Sequence, residues 1–291
     1  MANSMRTKFR ILLTMSIMFC LLFNGQTVFS GSKTPVEKLI IPSYVWPPFN
    51  ILEDTGEWSG ADVDITRDIL SRMGYDAVFV QVPFKRILKE MRGGKYLGMV
   101  PCVEGGGREE YMLFSNPVAS IYSVLWKKKS DKTCWTTYED LKGRTIGASP
   151  YHYGAGFFEA AKAGKFTVNI ISDESPELIH FKKLKANRVD MFICELSVGL
   201  YIQKTNSPEF DAIDYCGRGV GPTRPFSFAV SRKYFEGQEM EMNAFINRFN
   251  QELRLYTLEG KRKKVFKKYN MAVKLDDNGN VVFQEGYIDT P

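Results

Sequence analysis

Apolar residues along the chain switch repeatedly between a period near two and a period near 3.6, and that switching predicts alternating strands and helices. Lys38 to Ile41 reads as a strand that runs into the loop Tyr44-Val45-Trp46-Pro47-Pro48-Phe49. Asp62 or Asp64 is then expected to cap a helix whose Ile65, Ile69 and Met73 line one face. Ala77 to Val82 predicts a second strand. Phe84, Ile87, Leu88 and Met91 mark a helix stopped by Gly93, and Leu97 to Val100 a third strand ahead of Gly105-Gly106-Gly107-Arg108. The alternation restarts with Ser123 to Trp126 extended, Tyr138 to Leu141 as a short helix and Thr145 to Ala148 as a strand. A helix carrying Leu178, Phe181 and Leu184 leads to strand Met191 to Ile193, which runs into Cys194-Glu195. Met242, Phe245, Ile246, Phe249 and Leu253 form the buried stripe of a long amphipathic helix.

This pattern defines an α/β protein with two units. Val118 to Tyr122 and Gly219 to Pro225 are the stretches where composition turns loop-like or mixed and extended. Read as crossovers, they divide the chain into a first lobe over residues 31–118, a second over 119–225, and a return to the first over 226–291. Ligands of open α/β sheets sit beyond the carboxyl ends of the strands, so two facing lobes make one cleft that hinge closure buries.

Residues 1–30 stand apart from this alternation. Arg6, Lys8 and Arg10 precede an uncharged run from Ile11 to Phe23, and Val28-Phe29-Ser30 follows. That is the layout of a secretory signal peptide cleaved near Ser30, which places the mature chain in the periplasm. An uncleaved anchor is the competing reading, although the run is shorter than the roughly 20 residues a membrane span needs. Cleavage would lower the formal charge from +6 to +3, too little to call for a nucleic-acid partner. Lys261 to Lys268, flanking Val265 and Phe266, reads as the solvated face of a terminal helix.

The mature chain keeps Cys102, Cys134, Cys194 and Cys216, with no CxxC pair and only two histidines, His152 and His180. A zinc site or a Cys/His nucleophile is poorly supported by that set. An oxidising compartment allows a disulfide, and Cys134 with Cys216 are the candidates because their segments are expected to run side by side. Cys102 and Cys194 are expected to stay free on opposite walls of the cleft.

Several short motifs occur in a telling order: Trp46-Pro47-Pro48-Phe49, Gly60-Ala61-Asp62-Val63-Asp64-Ile65, and Arg108-Glu109-Glu110 leading to Phe114-Ser115-Asn116-Pro117. Tyr138-Glu139-Asp140-Leu141-Lys142-Gly143, Asn187-Arg188-Val189-Asp190 and the closing Gly260 to Tyr269 segment continue the series. Together they resemble the bacterial extracellular solute-binding proteins of family 3, which serve polar amino-acid ABC importers. The resemblance implies a type II periplasmic-binding-protein fold with a double-stranded hinge and a ligand cleft between the lobes. It also implies a monomer without a cofactor, which captures a small polar, amino-acid-like molecule and hands it to an ABC permease or to a sensor.

By the same resemblance, Arg108 grips the ligand's α-carboxylate, a task suited to a planar guanidinium with two parallel N–H donors. Glu195 stands where relatives place an acid for the ligand's ammonium, usually aspartate, and its extra methylene shifts that position. Trp46 and Phe84 match ring positions against the ligand. Pro101 and Val103 follow a strand end, and Val103 replaces a threonine whose hydroxyl helps hold the carboxylate. The loop holding Ser149, His152 and Tyr153 is bulky where relatives carry a small turn, which is expected to favour a ligand with an apolar or ring portion, or one displaced toward Trp46 and Phe84. Residue type alone offers plainer roles. Arg108 would be a solvated loop arginine, Glu195 a carboxylate favoured by a helix N-terminus, Phe84 a core residue and His152 a surface histidine. The rivals at the level of function are a cyclohexadienyl dehydratase-like enzyme, with Glu195 as general acid, and a ligand-sensing subunit without transport.

Overall fold

A computed structural model describes residues 37–150, 156–172, 175–271, 273–275 and 281–283, so the expected signal peptide lies outside the described residues. The first strand, β1 (Glu37–Ser43), buries Leu39 and Ile41 and pairs in parallel with β4 (Tyr75–Gln81), Leu39 opposite Ala77 and Ile41 opposite Phe79. A small hairpin, β2 (Ile51–Leu52) with β3 (Trp58–Ser59), and helix α1 (Ala61–Arg72) connect them. No aspartate caps α1. Its N-cap is Gly60 at φ 114°, where a Cβ would overlap the Phe49 carbonyl, and the Asp62 amide donates to that same carbonyl at 3.1 Å. Close backbone approach therefore selects glycine at the helix start. Asp62 is instead buried in the first turn, and Asp64 accepts hydrogen bonds from Lys268 and the Tyr269 hydroxyl at 2.7 and 2.8 Å.

Helix α2 (Phe84–Arg92) ends at Gly93 and leads to β5 (Gly98–Cys102), a single 3-10 turn at Arg108–Glu110 and β6 (Met112–Ile121). β12 (Arg224–Ser231), arriving from far along the chain, inserts antiparallel between β5 and β6. The chain leaves this three-stranded sheet at Tyr122 and enters a five-stranded one, ordered β11-β7-β10-β8-β9. Its strands are β7 (Ser123–Lys128), β8 (Thr145–Ala148), β9 (Thr167–Ile170), β10 (Met191–Glu195) and β11 (Ile213–Gly219). Helices α3 (Phe157–Lys162), α4 (Pro176–Lys185) and α5 (Leu196–Thr205) join these strands, and the chain returns to β12 between Gly219 and Arg224. Helices α6 (Glu239–Leu258) and α7 (Lys261–Lys268) then pack against the first sheet and α1. A hairpin of β13 (Val273–Leu275) and β14 (Val281–Phe283) closes the described chain.

One apolar cluster runs through the first passage between the sheets and reaches β12: Phe49, Val118, Ile121, Tyr122, Val124, Leu196 and Phe226 all belong to it, while Val220 in the second passage belongs to a separate cluster. In α5, Gly199 sits against Trp126, whose ring a Cβ would overlap, so the glycine sets how closely that helix approaches β7. The basic run on α7 is not solvated throughout. Arg262 is buried and donates to the Val118 and Pro117 carbonyls, both at 2.9 Å, where irregular β6–β12 register diverts those groups from the ladder. Cys134, in the segment after β7, and Cys216 on β11 form a disulfide with Cα atoms 5.5 Å apart, while Cys102 and Cys194 are buried free thiols.

Candidate functional site

The carboxyl end of β1 opens into a tight turn that presents Trp46. Its amide donates to the Asn50 carbonyl at 2.8 Å, and its own carbonyl accepts from the Phe49 and Asn50 amides at 3.0 and 3.1 Å. Buried Asn50 anchors the turn, donating to Ser43 Oγ at 2.7 Å and to the Val100 carbonyl at 3.1 Å. The Trp46 indole is wedged between Phe49 (ring centroids 4.9 Å apart) and Phe226 (5.3 Å), and Tyr44 stacks beyond it at 6.2 Å. Tyr44 in turn meets Phe84 at 4.9 Å, and the Arg108 guanidinium lies 5.9 Å from the Phe84 centroid.

Gly107, at φ 75°, turns the chain into the 3-10 element that carries Arg108. Arg108 Nη1 donates to the Val103 carbonyl at 2.9 Å and to that of Gly105 at 3.4 Å. Val103 thus supports the guanidinium through its backbone carbonyl. Pro101 is buried within β5 and Ser149 just past the end of β8. His152 and Tyr153 lie outside the described residues.

The second lobe contributes carboxylates. Glu195 ends β10 opposite Ser123, stands at the N-cap of α5 and is 6% exposed. Its Oε1 is ion-paired with Arg224 at the start of β12, whereas Oε2 is buried without a hydrogen-bond partner. Burial pushes its pKa up, opposed by Arg224 and by a hydrogen bond with Ser123. The expected ammonium receptor is therefore half engaged by a cation of the protein itself.

A second acid, unmarked in the sequence reading, completes the wall. Pro176 opens α4, and Glu177 in its first turn comes near enough to the Trp46 side chain of the first lobe for that group to lower its pKa. Burial, and then the nearby Glu195 charge, push the Glu177 pKa up to about 7 against the hydrogen bonds it accepts. One turn on, buried His180 bonds through Nε2 to the Ala148 carbonyl at 3.1 Å, and burial lowers its pKa.

Trp46, Phe84 and Arg108 thus meet in one line of contacts through Tyr44, and Glu177 and Glu195 are near enough for the charge of one to act on the other. Glu177, Arg224, Tyr44 and Phe226 are the participants the sequence reading missed. Ser175-Pro176-Glu177 signals only a helix start, at which an acid is ordinary. Among the described residues, no group of three or more His, Cys, Asp or Glu could hold a metal ion, and no helix is long and apolar enough to cross a membrane.

Two sheets linked by two chain passages, with helices flanking and polar groups gathered where the lobes meet, define a two-lobed, hinge-linked binding protein. The chain belongs to the bacterial extracellular solute-binding proteins, family 3, whose model matches residues 40–272. It is 22% identical over 204 residues to the ABC transporter arginine-binding protein 1 of Escherichia coli (strain K12), spanning 66% of this chain and 79% of that one. Its fold is similar to that of an ancestral arginine-binding protein bound to arginine, with TM-score 0.64 and 22% identity over 80% of this chain and 97% of the other. It is also similar to the ancestral amino acid-binding protein AncCDT-1, a precursor of cyclohexadienyl dehydratase, with TM-score 0.61 and 19% identity over 80% and 94% of the two chains.

Proposed function

We propose that this solute-binding protein works in the periplasm after cleavage near Ser30, closing on an amino-acid-like ligand and delivering it to the permease of an ABC importer, without catalysis. The contacts from Arg108 across Phe84 and Tyr44 to Trp46, with the carboxylates of Glu177 and Glu195 beyond, carry this reading. They set a guanidinium at one end and carboxylates at the other, the complement of a zwitterion. The arginine-binding relative supports the same ligand class. The lobe limits follow the two passages between the sheets, with residues 119–225 forming the second lobe.

Arg108→Ala removes the anion anchor while leaving the sheets untouched. Loss of a charge-assisted contact of this kind costs about 2–5 kcal/mol, so affinity should fall about 30-fold or more. Titration calorimetry of the mature protein checks this, and near-normal affinity in the variant would sink the assignment.

A second reading has one observation in its favour. Glu177, held near pKa 7, is tuned as a general acid must be, and a neighbour in fold is a precursor of a dehydratase. Prephenate or arogenate incubated with the protein would then yield an aromatic product.

A further inference from the structure

The match to the family ends at residue 272, and the β13–β14 hairpin lies beyond it. The root of the hairpin is fixed in the first lobe. At the end of α7, Lys268 and the Tyr269 hydroxyl donate to Asp64 on α1 at 2.7 and 2.8 Å, and the Tyr269 oxygen accepts from the Gly60 amide at 2.9 Å. Buried Met271 donates its amide to the Phe266 carbonyl at 2.8 Å. A single residue separates Met271 from β13, so β13 starts at most about 7 Å from that anchor.

The far side of the hairpin reaches the second lobe. β13 pairs antiparallel with β14, Val273 opposite Phe283, Lys274 opposite Val282 and Leu275 opposite Val281. β14 lies against β11, with Cα atoms of the two strands within 8 Å. β11 is the outermost strand of the five-stranded sheet, and β14 rests on it without joining the ladder. Covering an edge strand in this way shields backbone groups that have no strand partner. The strand on which β14 rests is itself held in its lobe, by pairing with β7 and by the Cys134–Cys216 disulfide.

Opening about two strand passages carries one lobe away from elements rooted in the other. A segment held at both ends opposes that swing, because either its seat on β11 or its own ladder must break. We propose that the β13–β14 hairpin is a third link between the lobes, a strap rooted beside α1 and seated on β11, which limits how far they swing apart. Both passages lie within the residues shared with the family, and the strap lies outside them. The inference does not depend on what the cleft holds.

A variant ending at Met271 keeps both passages, the disulfide and the cleft residues. Small-angle scattering of this ligand-free variant should give a larger radius of gyration than that of the parent. Hydrogen exchange should run about tenfold faster at β11 amides, with those of β8 and β10 unchanged. A second variant, with residues 272–291 replaced by an equal length of glycine and serine, should behave like the first, since it restores the chain without the hairpin. In the intact protein, a short amine-reactive cross-linker should join Lys274 to Lys128 or Lys129, which border β11.

An unchanged radius with unchanged β11 exchange in either folded variant would overturn the inference. Lys274 cross-links confined to first-lobe lysines would overturn it as well, and that arm needs no variant.

Discussion

Asp62 shows how much a single buried acid can weigh. Both of its oxygens are buried without a hydrogen-bond partner, as is the Thr66 hydroxyl one turn along α1. Burial pushes its pKa up to about 8, with the Arg262 charge opposing. The folded chain therefore holds a proton that the unfolded chain releases above its ordinary value of 3.8. The associated stability is complete below that value and is lost as pH rises toward 8. The slope is on the order of 1 kcal/mol per pH unit for one proton. Urea midpoints should thus fall between pH 5 and pH 8, and Asp62→Asn should flatten the profile and be the more stable form at pH 8. Residues of this kind divide by how far sequence can describe them. Arg108 and Trp46 sit in motifs that can be recognised, whereas Asp62 reads as an ordinary cap because only the closeness of Phe49 to Gly60 forces it inside. Glu177 likewise reads as a helix-start acid, since nothing local reveals the indole supplied from the other lobe.

At the level of elements, strands bounded by clear turns were legible, and those built on long-range compensation were not. The short helix Tyr138–Leu141 and strand Thr145–Ala148 appear with the limits the periodicity predicts. β6 was obscured by Pro117, which breaks a strand pattern in the sequence; β6 is an edge strand, where a proline is tolerated, and the register with β12 shifts beside it. α5 was obscured by Gly199, whose reason is the Trp126 ring on a different element. The disulfide acts at this scale by tying β11 to the segment after β7. It closes a loop of 82 residues, so opening it releases considerable chain entropy in the unfolded state. Replacing Cys134 and Cys216 by serine should cost about 2–5 kcal/mol. Chemical denaturation should show that loss, with reductant leaving the variant's midpoint unchanged while lowering the parent's.

For the whole molecule, the alternation of periods conveyed two α/β lobes, because lobe architecture follows from the order of elements. How the lobes meet was not legible, since it depends on side chains far apart in the chain. Passages at Tyr122 and between Gly219 and Arg224 give the lobes a shared axis, and the Trp46 side chain comes near Glu177 on the cleft side. Trp46→Phe keeps an aromatic ring but removes the indole N–H. A hydrogen bond from it to the Glu177 carboxylate would contribute about 1.5–3 kcal/mol, so closure should weaken and ligand affinity fall at least about tenfold. Small-angle scattering should record a larger radius of gyration for the ligand-free variant than for the parent; equal radii and equal affinities would rule out this contact as a fastener.

The cysteine pairing also bears on how the chain matures. Beyond Cys20, the order along the sequence is Cys102, Cys134, Cys194, Cys216, and the native bridge joins the second of these four to the last, skipping Cys194. On the proposed export route, a chain threading out N-terminus first would offer Cys134 to Cys102, and then to Cys194, before its partner emerges. An oxidase acting on thiols as they appear would trap the wrong pair. The native bridge would then depend on exchange catalysed by a disulfide isomerase, or on second-lobe folding that hides Cys194 before oxidation occurs.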